Sequence, residues 1–423
     1  MSNFGQNSPV FEALLKKGKD INRLFGALKT PCYVIDEEKL KSNCEKLSSV
    51  MKSCSCKILL AQKAFSNYNM YPLISKYLSG TEASGLYEAR LGKEEMPDGE
   101  VHVFCAGYRE DEFDELLTYA DHIVFNSVLQ LAKFGFKAKE AGKSIGLRIN
   151  PECSTQSGHE IYDPCASGSR LGVTWAVFDK EITPELFSLL DGLHFHTLCE
   201  QNSDALSETL KAVENRFGDI LSKMKWLNMG GGHHITKDGY DIGLLEESIL
   251  YAKKKWGVEV YLEPGEAVAL NAGYLVSRVI DVVENSGIKI AVLDASAACH
   301  MPDVIEMPYT PPLYQASDDE NGHSYRLAGP TCLAGDVIGD YKTESKLNPG
   351  DLLLFGDMAI YTTCKNNTFN GMPLPGIYKL DKDGGFTALA EFGYDDFKRR
   401  LGKKRNEYND SRFSFGEKRG KRT

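Results

Sequence analysis

The chain is short of several things, and each shortage narrows its class. No stretch of its 423 residues approaches the ~18 consecutive apolar residues of a membrane span. The first residues, Met1-Ser2-Asn3-Phe4-Gly5-Gln6-Asn7, lack the basic-then-apolar order of a secretion signal, so export is not expected. A disulfide framework is missing too. The eleven cysteines are an odd number, scattered through apparent strands and helices, and Cys54-Ser55-Cys56 is too tight for the usual redox or zinc spacings. A reducing cytoplasm is the expected setting, and no metal site is read. Positive charge is in deficit: 49 Lys/Arg stand against 59 Asp/Glu, a formal net of −10, which argues against a whole-protein nucleic-acid binder. No internal repeat is visible.

What the chain does have is enough apolar material, 42% of residues, for two sizeable cores. Its charge is unevenly spread. From Phe397 to Thr423 there are 11 Lys/Arg and 3 Asp/Glu, a net of +8, leaving −18 for the rest. Residues 397–423 are therefore expected to be a basic, disordered tail. From Lys57 to Gly265 short β-like runs alternate with amphipathic helical stretches. The runs are 57–64, 80–84, 101–106, 122–127, 144–150, 192–198, 226–231 and 259–263. Eight such units over about 210 residues suit a (β/α)8 TIM barrel, although a doubly wound sheet also fits the alternation. The barrel is preferred because chemistry-bearing residues recur where the runs end. Cys32-Tyr33-Val34-Ile35-Asp36 is read as the lead-in to that barrel, which spans residues 30–265. Beyond it, β-rich runs at Leu275–Val283, Ile288–Asp294, Leu352–Phe355 and Thr387–Glu391 predict a separate β-barrel or β-sandwich-like domain over 266–393, with residues 1–29 available to complete it.

Lys63 ends the first apolar run, Ile58-Leu59-Leu60-Ala61-Gln62-Lys63. A lysine there is costly to keep charged, and the cost vanishes if its amine forms a Schiff base with an aldehyde such as pyridoxal 5′-phosphate. Its local sequence by itself favours a lysine that snorkels into water. The other strand ends change that balance. His196 lies in the sixth run, Gly230-Gly231-Gly232 follows the seventh, and Glu263-Pro264-Gly265 closes the eighth. A glycine run lets backbone N–H groups approach phosphate, a flat imidazole can stack on a pyridine ring, and a carboxylate can pair with a protonated pyridine nitrogen. Each has an ordinary structural explanation alone. Together they describe one cofactor.

With those residues in view, the chain resembles the fold-type III pyridoxal-phosphate decarboxylases, the alanine-racemase-like barrel group that contains the ornithine/arginine and diaminopimelate enzymes. The similarity runs from about Thr30 to Glu391. It is carried by Gln62-Lys63-Ala64, Ser169-Arg170-Leu171-Gly172, His194-Phe195-His196, Gly230-Gly231-Gly232, Glu263-Pro264-Gly265, Gly329-Pro330-Thr331-Cys332 and Met358-Ala359-Ile360-Tyr361-Thr362. The resemblance implies that Lys63 carries the cofactor, that His196 stacks on its ring and that Glu263 faces the pyridine nitrogen. Gly231, Gly232 and the Tyr361 hydroxyl are then expected to hold the phosphate. Cys332 is expected to reach the site of a neighbouring subunit and return a proton, so a homodimer with shared active sites is implied.

The departures from the family pattern point to a branch. Arginine typically follows the Glu-Pro-Gly element in the ornithine and diaminopimelate enzymes; here it is Glu266. A carboxylate there inverts the local charge. The residue after the reactive cysteine is usually Asp or Glu; here it is Leu333. A second substrate carboxylate is poorly served by both changes. With Asp294-Ala295-Ser296-Ala297-Ala298-Cys299-His300 and Asn366-Asn367-Thr368-Phe369-Asn370-Gly371, they resemble the carboxynorspermidine/carboxyspermidine decarboxylases of polyamine biosynthesis. Glu266, Asp294, Asp303, Asp336 and Asp340 are the candidates for gripping a cationic polyamine. Diaminopimelate decarboxylase is the alternative, followed by an ornithine/arginine enzyme, a racemase, or a non-catalytic binding protein on the same fold.

Overall fold

A computed structural model of the chain describes residues 8–17, 21–156 and 163–402. Its strands, β1 to β16 in chain order, divide between a closed barrel and a mixed sheet. The barrel consists of β2 (Lys57–Ala61), β3 (Gly80–Ala83), β4 (Glu100–Phe104), β5 (His122–Phe125), β6 (Ser144–Arg148), β7 (Gly192–His194), β8 (Trp226–Asn228) and β9 (Glu259–Leu262). All are parallel, and β9 returns to β2 through the pairs Lys57–Tyr261 and Ile58–Leu262. Parallel strands need crossovers, and helices such as Glu37–Cys54, Val128–Glu140, Ser203–Leu221 and Ile242–Trp256 supply them. This is the (β/α)8 barrel that the alternation predicts, with one strand in each of the eight expected runs.

The barrel interior is packed. Trp226, 3% exposed, fills it from β8 and donates its indole N–H to Ser144 Oγ at 2.9 Å. Two glycines on neighbouring strands make the space. A Cβ at Gly192 would stand 2.0 Å from the indole, and one at Gly146 would stand 2.3 Å from it. Removing such a ring costs about 3–5 kcal/mol. At the amino-terminal floor the rings of His102 and His122 stack with centroids 3.9 Å apart, and Lys57 bridges Glu100 and Glu259. Chemistry is left to the opposite end, where the strands finish.

The sheet runs β13-β12-β11-β10-β1-β15-β16, with β14 paired to β10. Its strands are β1 (Cys32–Asp36), β10 (Gly273–Asn285), β11 (Ile288–Leu293), β12 (His323–Ala328), β13 (Val337–Thr343), β14 (Leu352–Phe355), β15 (Gly376–Leu380) and β16 (Phe386–Ala390). The expectation that Cys32–Asp36 leads into the barrel is corrected here. β1 pairs antiparallel with β10 and parallel with β15, and all five of its residues are buried. A short, mostly apolar run reads the same for a barrel strand and for a central sheet strand, so the pattern could not separate them. Tyr33, Leu275, Leu293 and Phe355 belong to one core of the sheet. The other includes Val34 and Tyr274, covered by Phe11 and Phe25 from the helices Pro9–Lys17 and Ile21–Phe25.

Asp36 joins the two bodies: it ends β1, and its side chain caps helix Glu37–Cys54 by accepting from the Lys39 N–H at 3.0 Å. A second junction lies at the barrel mouth, where the Tyr361 N–H donates to Ala64 O at 2.7 Å and the Met358 N–H to Gly273 O at 2.8 Å. Of the basic C-terminal segment, Phe397–Leu401 close a helix, Tyr394–Leu401, while residues 403–423 lie outside the described residues. No helix among the described residues is long and apolar enough to cross a membrane.

Candidate active site

A cavity of about 220 Å³ opens at the carboxyl end of the barrel. Lys63 lines it from the turn just after β2, His196 from just after β7, Gly232 from the loop after β8, and Glu263, Gly265 and Glu266 from the end of β9. Tyr361 reaches it from the sheet side. The strand ends expected to carry chemistry therefore converge on one hole.

Glu263 is its electrostatic centre. The carboxylate is 5% exposed, accepts from Asn228 Nδ2 at 2.5 Å on Oε1, and lies 3.2 Å from His194 Nε2 on Oε2. Burial opposes its ionisation, but His194 and the two hydrogen bonds outweigh burial and hold the carboxyl below the usual carboxylate range. Burial pushes His194 down and Glu263 opposes it; facing a carboxylate, its Nε2 carries a proton and donates. Glu82, the third residue of β3, goes the other way: burial first, then the charge of Glu263, raise it. Two buried carboxyls thus take opposite protonation states, Glu263 ionised and Glu82 protonated. Arg148, the last residue of β6, stands over the Phe104 ring at 4.5 Å and donates to His196 O at 3.0 Å; burial lowers its guanidinium to about 10.

His196 is fixed by the glycine loop. Its Nδ1 accepts the Gly231 N–H at 2.9 Å, which places the ring proton on Nε2. Burial, then the charges of Lys63 and Arg148, push its pKa well down, so it is a flat, neutral imidazole. This corrects the role expected of Gly231, which does not line the cavity and whose N–H is already engaged. Gly231 aims the imidazole; Gly232 lines the cavity. Side chains are excluded here by packing, since a Cβ at Gly232 would fall 2.0 Å from Leu198 O.

The candidate acids separate. Glu266 lines the cavity and lies 2.9 Å from His234 Nε2. Asp303 is paired with Lys365. Asp294 accepts from Ser277 Oγ and the Arg278 N–H, both at 2.8 Å, and does not line the cavity. Asp336 is 2% exposed and is occupied by Ser296 Oγ at 2.9 Å and Thr331 Oγ1 at 2.7 Å. Its bonds organise the loop that carries Cys332, so within one chain it shapes that loop and is not free to grip a substrate. Asp340 makes two 2.8 Å bonds to Arg326 on the outer surface. Acidic residues in a sequence carry charge but no direction, which is why four of the five do not line this cavity. Cys332 is exposed, its N–H donating to Asn370 Oδ1 at 2.8 Å, and it too is absent from the cavity of its own chain.

Sequence reasoning passed over Glu82, Arg148, His194, Asn228 and Glu200. Glu82, Arg148 and Asn228 are polar or charged residues inside expected buried runs, the same signal that marked Lys63. A primary amine, a neutral imidazole and an ionised carboxylate on one buried cavity suit an aldehyde-bearing pyridine cofactor. The residues fit pyridoxal 5′-phosphate.

A parallel (β/α)8 barrel with this lysine, imidazole and carboxylate at its mouth defines a pyridoxal-phosphate enzyme of the barrel class. The chain belongs to the pyridoxal-dependent decarboxylase family, whose C-terminal sheet domain model matches residues 32–359, and within it to the group of the carboxynorspermidine/carboxyspermidine decarboxylases. It is 43% identical over 382 residues to a carboxynorspermidine/carboxyspermidine decarboxylase of Campylobacter jejuni subsp. jejuni, covering 88% of this chain and 98% of that one. A carboxyaminopropylagmatine decarboxylase of Synechocystis sp. is 39% identical over 386 residues, covering 90% and 97%. The crystal structure of the Campylobacter jejuni carboxynorspermidine decarboxylase complexed with norspermidine superimposes with a TM-score of 0.81 at 42% identity, covering 88% of this chain and all of that one.

Proposed function

We propose that the protein decarboxylates carboxynorspermidine or carboxyspermidine, giving norspermidine or spermidine, with pyridoxal 5′-phosphate held on Lys63. One observation carries the substrate class. Among the described residues, Lys63 is the only lysine or arginine lining the cavity, whereas Glu200, Glu263 and Glu266 all line it. Such a wall attracts ammonium groups and repels a second carboxylate, which disfavours diaminopimelate.

When bound, the cofactor supplies an electron sink for the pair left at Cα as CO2 departs. The chain's residues then divide the work. The Lys63 amine would be the group that holds the cofactor. Glu263, kept ionised by Asn228 and His194, holds a proton on the pyridine nitrogen. His196, oriented by the Gly231 N–H, would lie against the cofactor's ring, and Gly232 and the Tyr361 hydroxyl would hold its phosphate. Cys332 returns the proton to Cα in the cavity of a second copy, which its exposure on its own chain supports. The working form is then a homodimer with shared sites. All eleven cysteines are free, which supports a reducing cytoplasm.

A substrate panel tests this reading: CO2 release from carboxynorspermidine, carboxyspermidine, diaminopimelate, ornithine and arginine. Release from either carboxylated polyamine is expected. Release from diaminopimelate but from neither of them would sink it. The two polyamines differ by one methylene, which alters binding by only ~1–3 kcal/mol, so both are expected to react.

A further inference from the structure

Beside the expected acid Glu266, a second carboxylate faces the cavity. Glu200 lies on the loop after β7, and no described residue donates a hydrogen bond to its side chain. Its backbone sits at φ +54°, an uncommon state for a residue with a Cβ. The conformation is held by flanking bonds: the Gln201 N–H donates to Gly232 O at 3.0 Å, and the His234 N–H donates to Gln201 O at 3.2 Å. These tie the Glu200 loop to the loop carrying His233 and His234, and so to the His234–Glu266 pair. Strain maintained by neighbours at a cavity is a feature of binding sites more than of ordinary turns.

His233 is a second polar group of this wall with an unmet hydrogen bond among the described residues. It lines the same cavity, is 1% exposed, and its Nδ1 has no hydrogen-bond partner. Its Nε2 lies 3.3 Å from Met229 O, and a carbonyl only accepts, so the ring proton is on Nε2 and Nδ1 is a bare acceptor. The wall thus offers two carboxylates, and the unpartnered His233 Nδ1 belongs to a residue of the same wall. Burial, then Glu266, raise the proton affinity of Glu200, with Asp303 acting in the same direction and His234 and Lys237 opposing. Cys199 and Tyr361 also feel its charge. A cation seated between the carboxylates relieves that repulsion.

We propose that Glu200 is a specificity-determining residue that, with Glu266, clamps an ammonium group on the long arm of the substrate while the α-amino acid head lies at Lys63. The inference rests on the polyamine reading above and adds the residue that recognises the arm. A ligand with the head but no arm gains nothing from Glu200. Because the ammonium binds the ionised clamp, affinity falls as the pH is lowered far enough to protonate it.

The test uses the full-length holoenzyme and the variant Glu200→Gln, which keeps the side-chain shape and removes the charge. Calorimetric dissociation constants are measured for spermidine, which has the arm, and for 2,4-diaminobutyrate, which has only the head. KM is measured for carboxyspermidine. Spermidine binding and KM are expected to weaken by about tenfold or more, as for loss of a charge-assisted contact, with diaminobutyrate binding and the visible cofactor absorption unchanged. Asp340→Asn removes the same charge at the surface pair with Arg326 and is expected to change neither constant. An unaltered spermidine constant in Glu200→Gln overturns the clamp, as does an equal loss for both ligands or the same loss in Asp340→Asn. A wild-type enzyme that binds spermidine through Glu200 yet decarboxylates neither carboxylated polyamine overturns the functional reading and leaves the clamp standing.

Discussion

Asn228 donates its side-chain N–H to Glu263 Oε1 at 2.5 Å, joining the last residue of β8 to the first residue past β9 inside a buried site. His194 lies against the other carboxylate oxygen at 3.2 Å. Both lone-pair faces are served, so the charge survives burial and has one direction left in which to act, the cavity. Glu263→Gln keeps the shape and removes the charge. It is expected to lower kcat by roughly 10²–10³, the scale for losing one electrostatic contact to a reacting centre, while the enzyme still binds cofactor and retains visible absorption. Asn228→Leu should reproduce part of that loss by letting the carboxylate take up a proton. Stopped-flow decarboxylation beside an absorption spectrum separates the two effects, and full turnover in Glu263→Gln would remove Glu263 from its assigned role.

Lys63 carries a different prediction, because no other described residue lining the cavity has a primary amine. Lys63→Ala should lose the covalent cofactor link and essentially all turnover, with the fold intact. Borohydride reduction followed by mass spectrometry should mark the wild-type peptide containing Lys63 and leave the variant unmarked. A reduced adduct at another lysine would overturn the assignment.

The barrel was legible because buried parallel strands leave short apolar runs between amphipathic helices, and all eight runs became strands. The sheet was read less well. β10, β11, β14 and β16 fall on expected runs, but β12, β13 and β15 do not. β12 (His-Ser-Tyr-Arg-Leu-Ala) is exposed at its first two residues, and β13 contains Gly339, Asp340 and Lys342. Both resemble loops until a neighbour covers one face. In the site, residue types at strand ends were readable, but not their partners. Gly230-Gly231-Gly232 announces a close backbone approach; that the Gly231 N–H serves His196 depends on how two loops meet. Asp336 looked like a free acid because Ser296, forty positions away in sequence, could not be seen beside it.

Cys332 sits exposed on a loop held by Asp336 and Asn370, away from the cavity of its own chain. If each site takes its lysine from one protomer and its thiol from the other, defects in the two residues should complement. Lys63→Ala and Cys332→Ala homodimers are each expected to be nearly inactive. Mixed in equal amounts under exchange, they should recover about a quarter of wild-type turnover, since half the dimers are mixed and each holds one intact site of two. A mixture no more active than its parents would place the thiol outside the shared site.

Asp357 yields a pH prediction with a definite sign. Its backbone lies at φ +54°, its Oδ1 accepts from the Asn271 N–H at 2.7 Å, and burial first, with Glu266 and Glu200 adding to it, raises its carboxyl from 3.8 to about 6. A carboxyl raised in the folded state favours folding in its protonated form. No cost exists below the unfolded value near 4; the cost grows as the unfolded chain ionises first, and it is complete once pH passes about 6. Asp357→Asn keeps an acceptor oxygen, tolerates the left-handed backbone and cannot ionise. It should leave the Tm unchanged near pH 4 and raise it at pH 7.5, by on the order of 2 kcal/mol of stability. The melts are run on enzyme without substrate, since a bound polyamine would neutralise Glu200 and Glu266 and shrink the difference. A variant that gains as much at pH 4 as at pH 7.5 would show that the substitution acts through packing, and that the carboxyl of Asp357 is not held away from its ordinary titration.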